Sequence, residues 1–298
     1  MAHRLYIVDV FAERAYTGNP LAVVVGADDL PDDTMQQLAA EMNYSETTFV
    51  RSAPERDGGY RVRMFTPARE IPFAGHPVLG TAWVIRHHVA PELASAVQLN
   101  LVAGQVPVTF ETLAGADIAW FVAPSIKFGA RIAAERIAAA VRVSPQDIEA
   151  GAPVQQVSGG ASAVIVPLRS LEALRRSRLD LHAFASLAKE GFPPLVYLFC
   201  RETHHAGNDL CARFFFDAHG VREDPATGFG AALLGAYLLE HKLFPGTDLA
   251  LRIEQGHALR RPSVVMLRAR RTDRSYDVSV GGQVIPVAQG ELASVRSS

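Results

Sequence analysis

The sequence predicts an α+β protein that is built from two similar units. Short strand-like segments outnumber helical ones and do not alternate strictly with them, a pattern that belongs to α+β folds rather than to doubly wound sheets. About one long helix falls in each half, and parts of the first half recur in the second. A length of 298 residues also suits two domains of roughly 150 residues each. With 49% hydrophobic and 20% charged residues, the chain can bury a core.

The first half contains six predicted strands and two predicted helices. Runs of apolar and β-branched residues indicate the strands, and apolar positions at helical spacing indicate the helices. Gly18-Asn19-Pro20 predicts a turn between the first two strands. The strands are expected at residues 5–11, 21–25, 45–50, 60–65, 97–110 and 118–122, and the helices at residues 32–41 and 75–88.

The second half has the same character after a change of composition near Ala123-Pro124. We therefore expect one domain over residues 1–122 and a second over residues 123–298. The C-terminal tail, from about residue 285 to 298, could pack back on the first domain. Asp224-Pro225-Ala226 is expected to begin the long helix of this half. Strands are expected at residues 161–166, 195–200, 212–216, 249–255, 263–269 and 276–284, and further helices at residues 132–143, 170–176 and 180–190.

Charge and composition exclude several classes of protein. The 29 Lys and Arg residues against 31 Asp and Glu give a net charge of −2, which argues against an electrostatic nucleic-acid binder. No apolar run of about 18 residues indicates a membrane span, and the N-terminal residues lack the pattern of a signal peptide. We expect a cytoplasmic protein without nucleic-acid or membrane partners. The 2 cysteines are too few for a disulfide framework or a Cys-rich zinc site.

The two halves share short segments in the same order, which is the signature of an internal repeat. Arg63-Met-Phe-Thr-Pro-Ala matches Arg213-Phe-Phe-Phe-Asp-Ala at an offset of 150 residues. His76-Pro77 matches Asp224-Pro225 at an offset of 148, so the loop between is expected to be two residues shorter in the second copy. We interpret the chain as one fold unit used twice.

The repeat predicts a site on the seam between the copies. If each long helix begins at an X-Pro pair, its free first-turn N–H groups carry partial positive charge. Two such helix starts that face each other would hold a small anion, most simply a carboxylate. His76 and Asp224 are expected at the two edges of this site.

Glu46 has no polar counterpart in the second copy, because the alignment places the apolar Val196 opposite it. A carboxylate beside an apolar strand is a candidate for proton transfer, since desolvation favours a pKa nearer neutrality. The alternative for Glu46 is a solvated carboxylate at a strand edge. His76 could be an ordinary residue at a helix start without a role in the site. Asp224 could serve merely as the N-cap of its helix. Gly75 and Gly228 could serve turns or let a substrate approach the backbone.

Several of these segments together resemble the phenazine-biosynthesis PhzF family over essentially the whole chain. The matching segments are Gly18-Asn19-Pro20, residues 41–50, 73–82 and 223–228, Gln255-Gly256, Arg261-Pro262-Ser263 and Val280-Gly281-Gly282. The resemblance implies a diaminopimelate epimerase-like fold, in which two similar halves each curve a sheet around a central helix. It implies a homodimeric isomerase without a cofactor, of the dihydro-hydroxyanthranilate isomerase type. Its catalytic glutamate falls on Glu46, and its assisting histidine and aspartate fall on His76 and Asp224.

One position departs from the family pattern and puts the substrate in doubt. Where the family often has a serine that helps to bind the substrate carboxylate, this chain has Phe229. Ser45, the other hydroxyl near the predicted site, is retained. The expected substrate-binding residues are therefore Ser45, Gly75, Gly228 and Phe229.

An epimerase, a binding protein and a metal site are the alternatives to this interpretation. The related epimerases use a cysteine pair near the positions of His76 and Asp224, and neither Cys200 nor Cys211 falls there. An amino-acid-type epimerase with two acid–base groups stays an alternative, as does a binding protein without catalysis. His204-His205 with Cys211 matches no zinc spacing, so no metal is expected.

Overall fold

A computed structural model describes residues 3–218 and 221–293. Among them the chain forms two compact units, and we describe each by itself. Unit 1 comprises Met1–Phe121 and Gly281–Ser298, and unit 2 comprises Val122–Val280. The last strand thus begins in unit 2 and ends in unit 1. No helix in the described part of the chain combines the length and the apolar character needed to span a membrane.

The described residues form seventeen strands and six α-helices. The strands are β1 (Arg4–Val10), β2 (Asn19–Val25), β3 (Glu46–Val50), β4 (Tyr60–Phe65), β5 (Glu70–Ile71), β6 (Ala96–Leu101), β7 (Gly104–Leu113), β8 (Ala116–Val122), β9 (Lys127–Arg131), β10 (Gln155–Gly159), β11 (Ala161–Pro167), β12 (Leu195–Cys200), β13 (Leu210–Ala218), β14 (Val221–Asp224), β15 (Asp248–Gln255), β16 (Ser263–Arg271) and β17 (Tyr276–Glu291). The helices are α1 (Asp32–Met42), α2 (Gly75–Val84), α3 (Ala134–Val141), α4 (Leu171–Arg176), α5 (Leu181–Lys189) and α6 (Gly228–Glu240).

Unit 1 is a closed ring of strands. β17 pairs with β1, β1 with β2, and β3 with β4, all antiparallel, whereas β2 and β3 run parallel. β4 continues in parallel to β6, which is followed by antiparallel pairs with β7 and β8. β8 pairs with β17 and completes the ring, so no edge of the sheet is left between these strands. The short β5 pairs with the end of β4.

Helix α2 packs against this ring as its central helix, as the resemblance implies. It contacts β1, β2, β3, β6 and β7, and all ten of its residues are buried. A sequence that is apolar on every side of the helix explains this environment. Gly80 is required for the close approach, because a Cβ there would lie 2.6 Å from Cδ2 of Leu21 and 2.8 Å from Cγ2 of Val10.

Unit 2 repeats the same order of strand pairings. β10 and β11 are antiparallel, β11 and β12 parallel, and β12 and β13 antiparallel. β13 and β15 are parallel, and β15 and β16 antiparallel. Helix α6 contacts β10, β11, β15 and β16, and takes the place that α2 has in unit 1. Helices α3, α4 and α5 add a further apolar cluster, which includes Ile137, Leu174 and Phe184.

One ion pair is repeated atom for atom and confirms the matched segments. The guanidinium of Arg63 donates two hydrogen bonds of 2.7 Å to the carboxylate of Glu70. Arg213 binds Glu223 in the same forked geometry, at 2.9 and 2.7 Å. Each arginine also lies over a phenylalanine ring two residues further along its strand. The two-copy fold predicted from the sequence is therefore present at the level of single side chains.

The helix starts do not align as the sequence predicted. Asp224 ends β14 and precedes α6, which begins at Gly228 with Thr227 as its N-cap, so Asp224-Pro225 does not open the helix. Because Met64 pairs with Ile71 and Phe214 pairs with Asp224, Asp224 corresponds to Ile71, at an offset of 153 residues. The helix starts, at Gly75 and Gly228, have the same offset. The connection is thus three residues longer in the second copy, not two shorter.

The corrected alignment changes the partners of the candidate residues. Counting from the helix starts, His76 corresponds to Phe229. Phe49 pairs with Arg63 and Leu198 with Arg213, which places Glu46 opposite Leu195 rather than Val196. Each of Glu46 and Leu195 is the first residue of its strand. Glu46, His76 and Asp224 therefore all lack a polar counterpart in the other copy.

Candidate active site

Glu46 stands at the start of β3, on the face of the strand that looks toward α2. Alternate residues of a strand share a face, and Thr48, two positions on, hydrogen-bonds Thr81 of α2 through the two hydroxyls at 2.8 Å. In the parallel register Glu46 lies beside Leu21, which packs against Gly80 of the same helix. The side chain of Glu46 keeps 16% of its surface exposed. Part of this side chain is therefore accessible to a ligand in solution, whereas its Oε2, the oxygen nearer His76, is buried.

His76, the second residue of α2, lies next to this carboxylate. Its Nε2 is 3.4 Å from Oε2 of Glu46, and its side chain is only 4% exposed. Burial lowers the pKa of His76 to about 3, so the ring is neutral at physiological pH. The structure thus brings together two of the three residues that the sequence predicted to be catalytic.

Asn19 is a third polar group at this position, and the sequence analysis assigned it no role. Its side chain is fully buried, and Nδ2 lies 3.2 Å from Nδ1 of His76. The turn before it needs Gly18, which has φ +69° and where a Cβ would lie 2.4 Å from the carbonyl oxygen of Val10. The Gly-Asn-Pro segment was visible in the sequence as a turn. That its asparagine reaches a histidine 57 residues away was not.

The start of α2 lies in the same region and leaves its backbone N–H groups without a side-chain cap in the described structure. Its N-cap is Ala74, an alanine with extended backbone, and Gly75 and His76 form the buried first turn. Such a turn carries partial positive charge and is a general binding site for anions. Ser45, half-buried, directly precedes Glu46. Unit 1 therefore combines a reachable carboxylate, a neutral imidazole and a helix start suited to negative charge.

In unit 2, Asp224 is held by a hydrogen-bonded chain of side chains. Thr227 Oγ1 donates to Oδ2 of Asp224 at 2.6 Å. Gln255 Nε2 donates to Thr227 Oγ1 at 3.0 Å and to the carbonyl of Asp224 at 2.8 Å. Because the threonine hydroxyl accepts from Gln255, its own hydrogen is directed to the carboxylate of Asp224. Gln255, fully buried, is a second polar residue whose role the sequence analysis missed.

Gly228 and Phe229 form the first turn of α6. Thr227 provides no side-chain cap hydrogen bond, so this helix start resembles that of α2. The Phe229 ring is half-buried and packs edge-on against Phe214, with ring centroids 5.4 Å apart. The ring therefore occupies the helix position that His76 has in unit 1.

A histidine cluster elsewhere in unit 2 contains the residues weighed as metal ligands. Ligand atoms of His204, Cys211 and Glu254 lie within 4.8 Å of one another, as do those of His205, Glu254 and His257. The buried Glu254 carboxylate accepts the backbone N–H groups of His204 and His205 at 2.7 and 2.8 Å. These bonds fix the loop before β13 and account for the burial of the carboxylate. Burial also raises the pKa of Cys211, which keeps this thiol protonated.

The comparisons with known proteins agree on one family. The phenazine biosynthesis-like protein family, PhzC-PhzF, matches residues 8–290. An uncharacterized isomerase of Pasteurella multocida is 36% identical, over 96% of this chain and 93% of the relative. The trans-2,3-dihydro-3-hydroxyanthranilate isomerase of Pseudomonas aeruginosa is 34% identical, over 97% of this chain and 98% of the relative.

A solved structure agrees with the fold. The PhzF-family phenazine biosynthesis protein of Bacillus anthracis superposes with a TM-score of 0.89 at 25% identity, covering 99% of this chain and 100% of that one. The predicted fold class is thereby confirmed. The similarity extends over both copies of the repeat, so the asymmetric residues Glu46, His76 and Asp224 all fall inside the matched region.

Proposed function

The chain belongs to the phenazine biosynthesis-like protein family, PhzC-PhzF, and we propose that it is an isomerase that moves a proton on a small carboxylic acid without a cofactor. Its curated relatives are named as isomerases. The observation that carries the proposal is the pair formed by the partly exposed Glu46 and the buried, neutral His76, 3.4 Å apart. A reachable carboxylate beside a group that stays neutral can exchange protons with a ligand.

Glu46 is the group that removes the proton from carbon and returns it at another carbon. Of the pair, Glu46 is the more exposed, at 16% of its side chain against 4% for His76, so it is the one that a substrate can touch. A carboxylate that first acts as a base becomes, once protonated, the acid for the second half of the reaction. No metal or redox group has to take part in this transfer.

The negative charge that develops on the substrate needs donors that are already in place. The first-turn N–H groups of α2 near Gly75 supply such donors, and Ser45 adds a hydroxyl beside Glu46. Preorganised donors of this kind often contribute the largest share of a rate enhancement. His76 lies beside Glu46 and takes no proton from the substrate, because its low pKa makes it a poor base.

Asp224, Gly228 and Phe229 complete the proposed set of site residues. The Asp224 carboxylate, held by Thr227, is suited to accept a hydrogen bond from a hydroxyl or amino substituent of the substrate. The N–H groups at Gly228 are suited to an anionic substituent. Phe229 presents an apolar ring where the family often has serine, and we assign to it the selection of the substrate.

A deuterium-exchange assay tests the function. The Pseudomonas aeruginosa relative is named for trans-2,3-dihydro-3-hydroxyanthranilate, so this acid is the first probe. In D2O we expect the protein to convert it to an isomer that carries up to one solvent deuterium on carbon, to the extent that the proton held by Glu46 exchanges with solvent before it is returned. Neither conversion nor exchange, with this acid or with related unsaturated carboxylic acids, would contradict the proposal.

The same assay distinguishes the second candidate, an epimerase. The ordered chain from Gln255 through Thr227 to Asp224 favours it, because it provides a second carboxylate in addition to Glu46. An epimerase gives a product that differs only in configuration at the carbon that exchanges. Binding of the acid without exchange or conversion would instead indicate a ligand-binding protein.

The sequence also predicts a cytoplasmic homodimer, and we propose both properties for this chain. Light scattering of the purified protein tests the dimer, with twice the mass of the 298-residue chain expected. Fractionation of the source cells tests the compartment.

A further inference from the structure

We infer that Asn19 is a positioning residue that holds the neutral ring of His76 in the Nε2–H tautomer, which puts the ring hydrogen on the nitrogen nearer Glu46. The inference rests on the proposed function, because it gives the pair of Glu46 and His76 a division of roles. The tautomer of His76 is itself a property of the ligand-free protein and does not depend on the substrate.

The tautomer follows from the chemistry of the two groups. The nitrogen of an amide side chain donates hydrogen bonds and does not accept them. Since Asn19 Nδ2 lies 3.2 Å from His76 Nδ1, this ring nitrogen must be the acceptor and carries no hydrogen. A neutral imidazole has one ring hydrogen, which is then on Nε2, the atom 3.4 Å from Oε2 of Glu46.

The backbone around Asn19 explains how the amide is held in place. Asn19 is the first residue of β2 and pairs with Val10 of β1. The preceding Gly18 makes a turn that other residues would strain, and Pro20 fixes the next φ angle. The side chain is fully buried, so water does not compete with His76 for the amide hydrogen.

The tautomer decides what His76 can do. With Nε2 protonated, the ring places an N–H beside Oε2 of Glu46, with 3.4 Å between the two heavy atoms and no hydrogen bond between them in the ligand-free structure. In the other tautomer a lone pair would face the carboxylate and repel it. Because Nδ1 accepts from Asn19 and Nε2 carries the hydrogen, the ring has no lone pair free to take a proton, and this task is left to Glu46.

NMR of the ligand-free protein tests the tautomer directly. Long-range 1H–15N spectra distinguish the protonated from the bare ring nitrogen, and the His76→Gln variant assigns the signals. We expect Nε2 of His76 to be protonated in the wild type and Nδ1 to become protonated in Asn19→Asp, whose carboxylate can only accept. A protonated Nδ1 in the wild type would overturn the inference.

His241 provides a matched control, because Gln155 Oε1 accepts from its Nε2 at 2.9 Å, and no role in the reaction is assigned to either residue. Gln155→Leu should change the His241 signals and leave both the His76 signals and the turnover unchanged. An effect of Gln155→Leu on the His76 tautomer equal to that of Asn19→Asp would contradict a specific role of Asn19.

Kinetics test whether the tautomer matters for the reaction. If His76 acts through its Nε2 hydrogen, Asn19→Asp should lower kcat by roughly 10²-fold, the lower end of the range for acid–base groups, with little change in KM. A tautomer switch without a fall in kcat would overturn the positioning role. If the wild type itself converts no acid, the proposed function fails, whereas the spectrum still decides the tautomer.

Discussion

At the scale of single residues, the candidate site depends on a few polar side chains that the repeat does not duplicate. Sequence analysis selected Glu46 and His76, and the structure places them 3.4 Å apart. It did not select Asn19 or Gln255, because the identity of a buried polar partner depends on which distant segments pack together. Gly18-Asn19-Pro20 and Gln255-Gly256 were visible as motifs, but the hydrogen bonds to His76 and Thr227 span 57 and 28 residues.

The buried His76 should make the protein sensitive to acid. Its pKa is about 3 in the folded chain, compared with 6.5 for a solvated histidine. Between these values only the unfolded state binds the proton. The contribution of His76 to the free energy of unfolding is therefore complete above pH 6.5 and is lost as the pH falls toward 3. Each pH unit in this range should cost about 1.4 kcal/mol for this one group. Urea unfolding at pH 7 and pH 5 measures the effect.

Variants of two histidines isolate the contribution of His76. His76→Asn should unfold with a weaker dependence on pH than the wild type, by about one proton, whatever its absolute stability. The matched variant His182→Asn, at an exposed position of α5, should keep the wild-type dependence. Equal pH dependence in His76→Asn and the wild type would show that this histidine is not held neutral by burial.

Phe229 should determine which acid the protein accepts. Phe229→Ser restores the hydroxyl that the family often has at this position and removes a ring that packs on Phe214. We expect KM for trans-2,3-dihydro-3-hydroxyanthranilate to fall by roughly tenfold, the worth of one hydrogen bond to a charged group. Steady-state kinetics with Phe216→Ser, which removes another half-buried ring that contacts Phe214, should show no such gain. An unchanged KM in Phe229→Ser would remove Phe229 from substrate selection.

At the scale of elements, sequence patterns predicted the long helices but not the start of α6. The buried α2 begins at Gly75, as predicted, and its apolar composition indicated a central helix. Asp224-Pro225 resembled a helix start, because proline suits the first turn of a helix. Proline is equally compatible with the end of a strand, and here Asp224 still pairs with Phe214 in β14. Local preference permitted both outcomes, and the strand pairing decided between them.

The close packing of α2 in its ring predicts a difference between two helix glycines. Gly80→Ala would set a Cβ 2.6 Å from Leu21 and 2.8 Å from the stiff side chain of Val10. It should lower the free energy of unfolding by about 1–3 kcal/mol, the usual cost of overpacking a core. Denaturant unfolding checks this value.

Gly235→Ala in α6 is the matched control. Its Cβ would lie 2.9 Å from the flexible end of Leu267, which can turn away. Both substitutions gain about 1 kcal/mol in helix propensity over glycine, so the contacts decide the difference, and stability should change by less in Gly235→Ala than in Gly80→Ala. A larger loss in Gly235→Ala would contradict the packing described for α2.

At the scale of the whole molecule, the repeat is the feature that the sequence predicted best. The forked pairs of Arg63 with Glu70 and Arg213 with Glu223 show that the copies share side-chain geometry as well as strand order. The exact correspondence needed the structure, because the connection before α6 is three residues longer and hides the alignment of His76 with Phe229. Chemistry in this protein is assigned to the positions where the two copies differ.

The most direct test of this account is deuterium incorporation by the Glu46→Gln variant, which keeps the shape of the side chain and removes the base. With an acid that the wild type converts in D2O, we expect the exchange rate of Glu46→Gln to fall by roughly 10²- to 10⁴-fold, while the acid still binds. Glu46→Asp, which keeps a carboxylate at a shorter reach, should retain part of the rate. Exchange at the wild-type rate in Glu46→Gln would contradict the central claim that Glu46 moves the proton.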